Sequence, residues 1–108
     1  MIKMMIFLRR APDLDRAGFA SWWLERHRPE VLKLVGLRRT VFNLLPDEGP
    51  YDAVIEQWFD DAEAAAAAYD TPLGRALVAD SSAHARDRVR LQVEEHVFDL
   101  VSPQGVAP

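Results

Sequence analysis

The sequence predicts an α+β domain of the split βαβ, ferredoxin-like type: elements in the order βαββαβ, one four-stranded antiparallel sheet, and helices on one face of it. Three observations predict this. Strand-like apolar stretches at residues 1–8, 37–45, 52–59 and 88–100 are separated by helical segments after the first and third and by a turn after the second. The chain of 108 residues is 49% hydrophobic and 28% charged, which suits one compact domain over residues 1–101. Finally, the first and third strands, central in this plan, are apolar on both sides, whereas a single layer of helices covers one side.

The first strand, Met1-Ile-Lys-Met-Met-Ile-Phe-Leu8, places Ile2, Met4, Ile6 and Leu8 on one face and Met5 and Phe7 on the other, and ends at the turn containing Pro12. Asp13 or Asp15 can cap the helix that follows, which runs through Phe19, Trp22 and Trp23 to Arg28 before Pro29 interrupts or restarts it. Positions 19, 23 and 27 share a helical stripe, so His27 faces the sheet with Phe19 and Trp23. Gly36 suits a helix C-cap ahead of the second strand, where Thr40, Val41 and Phe42 favour extended backbone.

Pro46-Asp-Glu-Gly-Pro50 is a turn into the third strand, which puts Val54, Glu56 and Trp58 on one face and Ala53, Ile55, Gln57 and Phe59 on the other. Asp60 and Glu63 have capping-box spacing ahead of five alanines, a strong helix signal. Thr71-Pro72 then opens a further helical piece with Leu73, Leu77 and Val78, which Asp80-Ser-Ser82 is expected to loosen. In the last strand Val89, Leu91, Val93 and Val97 alternate with Arg88, Arg90, Gln92, Glu94 and His96. Residues 102–108 read as a flexible tail.

Composition removes several function classes. Without cysteine there is no disulfide, thiolate metal site or cysteine nucleophile, and the chain suits the reducing cytoplasm. Residues 1–8 are too short to span a membrane, and Arg9-Arg10 follow the apolar run instead of preceding it as in a signal peptide. A formal net charge of -4, with arginines scattered among acidic residues, argues against a nucleic-acid partner. The third strand also lacks the basic and aromatic run of RNA-recognition sheets. The histidines are too far apart for a metal motif, and no phosphate loop or Gly-x-Ser-x-Gly elbow occurs, so neither metal nor organic cofactor is expected. The uncovered sheet face predicts a homodimer stacked sheet against sheet.

The stretch 1–10, the segment Phe19-Ala-Ser-Trp-Trp-Leu-Glu-Arg-His-Arg-Pro29, Gly36-Leu-Arg-Arg39, residues 51–61 with Glu56-Gln-Trp-Phe-Asp60, and residues 93–97 together resemble the EthD family. The resemblance spans nearly the whole chain and implies a dimeric α/β barrel with a cavity between each sheet and its own helices. Related members of that superfamily include cofactor-free polyketide cyclases, lactone isomerases, dehydratases and quinone-forming monooxygenases, so the resemblance widens the choice of reaction.

His27 is the leading catalytic candidate, because an imidazole in an apolar cavity can move protons on a phenol, enol or lactone near neutral pH, and the resemblance points to the same residue. The plainer reading is a core histidine satisfied by a carbonyl, carboxylate or tyrosine. Glu56 is the second candidate, since a buried carboxylate must be paired, protonated or functional; the plainer reading, and the favoured one, is a salt bridge to Arg38, Arg39 or an interface arginine. His96 beside Glu94 is the third, although charge on an edge strand also serves to resist aggregation. His84 reads as a surface residue. Trp23, Phe42, Trp58 and Tyr69 are expected to line the pocket for a flat hydrophobic molecule, unless they are simply core. The function expected is a small cofactor-independent enzyme that carries out cyclisation, dehydration or isomerisation on a hydrophobic oxygenated ring compound. An oxidoreductase and a non-catalytic ligand carrier are the alternatives.

Overall fold

The computed structural model describes residues 1–100. Its elements are β1 (Ile2–Arg10), α1 (Arg16–Ser21), a π-helical segment (Trp22–His27), α2 (Arg28–Val31), β2 (Arg39–Leu44), β3 (Ala53–Phe59), α3 (Ala62–Tyr69), α4 (Pro72–His84) and β4 (Ala85–Val93). The strands make one antiparallel sheet in the order β2-β3-β1-β4, the ferredoxin-like arrangement, with β1 and β3 at its centre. The tail expected over 102–108 lies outside the described residues.

Alternation along β1 sorts the two faces. Met4, Ile6 and Leu8 are buried together with Phe19, Trp23 and Leu77 from the helices. Lys3, Met5 and Phe7 stand opposite Trp58, Glu56 and Val54 of β3 and share the other face with them. β1 runs past Leu8 through Arg9-Arg10, because the Arg10 N–H donates to the Asp52 carboxylate and its guanidinium binds Asp47 and Asp52.

Asp15 caps the first helix by accepting from the Gly18 N–H at 2.7 Å. The helical path then continues to Val31 without a break at Pro29. Proline has no N–H to donate, and its ring crowds the carbonyl four residues back. The chain accommodates it by widening over residues 22–27, so that the Arg28 N–H reaches Trp23 O, five residues back. Gly36 ends the region with φ of 80°, in keeping with a glycine C-cap.

Three local expectations are corrected. The cap of α3 is Asp61, accepting from the Ala64 N–H at 2.7 Å, because Asp60 is held by Arg38 at 2.8 Å. Asp80-Ser-Ser82 does not loosen α4, which runs from its Thr71 cap to His84. The Asp80 and Ser81 side chains are engaged in tertiary contacts and do not compete for the helix backbone. The last strand begins at Ala85 and ends at Val93, so Glu94 and His96 lie beyond it.

β4 also carries a bulge. Phe7 pairs with Val89 but Arg9 pairs with Arg86, so two residues of β4 oppose Leu8, and Asp87 adopts φ of 53° there. Such an insertion bends a strand and re-aims its side chains. Arg90 stands opposite the inward-facing Ile6, while Val89, Leu91 and Val93 stand opposite Phe7, Met5 and Lys3 on the other face. Arg88 and Arg90 therefore face the helices, and the valines and leucine of β4 line the uncovered side.

Candidate active site

Between the sheet and the helices lies a cavity of about 20 Å³, walled by Ile6, Leu8, Trp23, Val31, Ile55 and Leu77 with His27, Gln57, Tyr69, Ser81 and Arg88 as its polar groups. That volume holds a water molecule, so a ring-sized ligand must displace side chains to enter. Every lining residue is buried except Tyr69 and Arg88, which are half-buried, and the mouth therefore opens between these two.

The widened helical turn brings His27 into the wall at 5% exposure. Its Nδ1 is 2.8 Å from Asp80 Oδ2. A carboxylate accepts there, so Nδ1 carries the hydrogen and Nε2 keeps its lone pair. Ser81 Oγ stands 3.5 Å from Nε2, the limit of a hydrogen bond, which leaves that nitrogen available to a ligand. Burial pushes the His27 pKa below its ordinary value; Asp80 opposes this, and His84 and Arg88 add to it. The ring is thus a neutral base at pH 7.

Asp80 is itself anchored. The Trp22 indole N–H donates to both of its oxygens, at 3.1 and 3.2 Å. The indole ring lies between two imidazoles, with centroids 4.8 Å from His27 and 4.4 Å from His84. His84 Nδ1 donates to the Asp80 carbonyl at 2.9 Å. His84 is accordingly a packed half-buried residue rather than the free surface side chain expected.

Trp23 and Tyr69 line the cavity, and Phe42 packs on Trp23 with centroids 4.6 Å apart, behind the lining. The Tyr69 hydroxyl meets the Gln57 amide at 2.9 Å. Glu56 and Trp58 stand on the opposite sheet face, away from His27. The partner of Glu56 is Lys3 at 2.6 Å, with Asn43 donating at 2.9 Å, and Lys3 holds this carboxyl below its usual range. Lys3 and Arg39 flank the Trp58 ring. His96 is exposed beyond β4 and contacts Glu94. Asp80, Ser81, Gln57 and Arg88 are the site residues that sequence reasoning did not single out. The i,i+4 spacing of Leu77 with Ser81 and of Asp80 with His84, read as a continuing helix, would have exposed the first two.

The fold recurs in solved structures. An EthD-family protein from Bacillus halodurans superposes with a TM-score of 0.76 at 26% identity, over 89% of this chain and 100% of that one. A dimeric protein with a ferredoxin-like fold from Bacteroides fragilis gives 0.69 at 13% identity, over 87% and 95%. SnoaB, a cofactor-independent oxygenase from Streptomyces nogalater, gives 0.69 at 13% identity, over 90% and 94%. No curated protein sequence matches the chain. The EthD domain model matches residues 11–87, which carry the π-helical turn, His27 and Asp80, and the chain belongs to the EthD family.

Proposed function

We propose that the protein is a small cofactor-independent enzyme that takes a hydrophobic, oxygenated ring compound into the cavity between sheet and helices and moves a proton on it. The observation that carries this reading is the neutral His27 on the cavity wall, its Nδ1–H held by Asp80 and its Nε2 directed to the ligand space. Nε2 takes a proton from a carbon next to a carbonyl or from an enol; the freed electron pair becomes the new C=C or O⁻. Return of the proton at another atom completes an isomerisation, and loss of hydroxide as water completes a dehydration. Trp23 and the aliphatic wall supply the apolar contacts, and Tyr69 with Gln57 supplies polar ones. The cysteine-free composition suits work in the reducing cytoplasm.

Likeness in fold to a cofactor-independent oxygenase favours a second reading. There the same deprotonation yields an electron-rich enolate that passes electrons to molecular oxygen. Native mass spectrometry of the freshly purified protein should reveal a retained ligand. Turnover of that compound without added metal or cofactor, lost in His27→Gln, is the expected result. Incorporation of labelled oxygen from O₂ would select the oxygenase reading, and binding without turnover would make the protein a carrier.

A further inference from the structure

Arg88 is a cation in the cavity wall that lacks a carboxylate partner. Among the described residues no ion pair forms at Arg88; Arg16, Arg26, Arg28, Arg39 and Arg86 also lack one but are exposed, and the half-buried Arg90 donates to the Ala65 carbonyl at 3.3 Å. The Tyr69 ring lies 5.9 Å from its guanidinium, and the Tyr69 hydroxyl offers it a neutral acceptor. Burial works against its charge, and among the described residues no acidic side chain lines the cavity to offset that cost. The β4 bulge at Asp87 sits immediately before it and sets its direction. Charge left unpaired at the mouth of a pocket is a feature a ligand can complete.

We infer that Arg88 is the specificity-determining residue of the site: it binds an oxyanion of the ligand, a carboxylate or an acidic enol or phenol oxygen, across the cavity from His27. The inference rests on the ligand site proposed above and deepens it by naming the substrate class as acidic. With a carbonyl substrate the electron pair released when His27 Nε2 takes the proton ends on the oxygen facing Arg88. The base and the counter-charge thus act on the two ends of one enolate, and the proton later returns from His27, so the step consumes no oxidant or reductant. Tyr69, the other side of the mouth, frames the entry beside the guanidinium.

Benzoate and benzamide test this directly, being nearly identical in shape and differing in charge. Binding is read by the imidazole NMR signals of His27 and by the fluorescence of Trp23. The wild-type protein should bind benzoate at least about tenfold more tightly than benzamide, a difference of about 1.4 kcal/mol. Arg88→Met, which keeps the aliphatic stem, should erase the preference, and Arg88→Lys should restore part of it. Equal binding of the two probes by the wild type, with His27 signals shifting, would overturn the role of Arg88 and leave the ligand site standing. Binding of neither probe would overturn both. The wild-type comparison decides the matter even if Arg88→Met fails to fold.

Discussion

Asp80 Oδ2 lies 2.8 Å from His27 Nδ1 across the junction of the first helical region and α4, and this contact fixes which nitrogen of the imidazole faces the cavity. Asp80→Asn should disturb that assignment while keeping the shape of the residue. Turnover is expected to fall about 10²-fold, the lower end of what acid–base groups contribute, and ¹⁵N NMR should show a mixture of His27 tautomers. An unchanged tautomer with full activity would remove Asp80 from the site.

His27→Gln should abolish proton transfer and spare the fold. Glutamine retains one hydrogen bond to Asp80 and most of the buried volume, so the thermal transition should move little while turnover falls by about 10²–10⁴-fold. Full activity, or an unfolded protein, would mark the ring as structural.

The depressed pKa of His27 has two consequences with pH. As a base it fails when protonated, so kcat should fall with decreasing pH along a limb whose midpoint lies below 6.5. In the unfolded chain the same imidazole takes up its proton first, at about 6.5. Its contribution to stability is therefore complete above that value and is lost as pH falls through the folded pKa. Urea titrations across this interval should show a decline for the wild type that His27→Gln lacks.

The face of the sheet away from the helices should form a two-fold interface. Met5, Phe7, Val54, Trp58, Val89 and Leu91 lie on it, with Leu91 49% exposed in the single chain. Light scattering should give about twice the chain mass of 12.2 kDa, and Leu91→Glu, which buries charge at that interface, should give the single mass. A monomeric wild type would sink the stacked-sheet dimer.

Gly74 is required by close packing. A Cβ there would stand 2.5 Å from both Ala68 O and Tyr69 Cα, backbone that cannot rotate away. Gly74→Ala should force α3 and α4 apart, cost about 1–3 kcal/mol in chemical denaturation, and displace Tyr69 at the cavity mouth.

The βαββαβ order was legible because its signals are local: the apolar, strand-favouring runs of residues 1–8 and 52–59, Thr71-Pro72 as a cap with first-turn proline, and Gly36 as a C-cap. His27 was legible through its spacing from Phe19 and Trp23. What escaped depends on contacts between distant parts of the chain. Asp80 and Ser81 look like helix-loosening residues until Trp22 and His27 engage their side chains. Asp60 looks like a cap until Arg38 claims it. Arg88 and Arg90 stand on the polar side of an alternating strand, and only the register of β4 against β1 shows that this side is turned towards the helices. Alternation separates two faces without saying which one is covered, and the same ambiguity left Glu56 a candidate for a cavity on the other side of the sheet.

The π-helical turn ties the placement of His27 to how the helix is wound. Along a regular helix each residue advances about 100°, so Trp22 and His27, five apart, would diverge by about 140°; here their rings lie 4.8 Å apart. The wider winding absorbs one extra residue; loss of one between them would restore a regular helix with the two rings about 40° apart and still on one face. Relatives that lack that one residue should carry an ordinary helix here and keep the histidine beside its carboxylate.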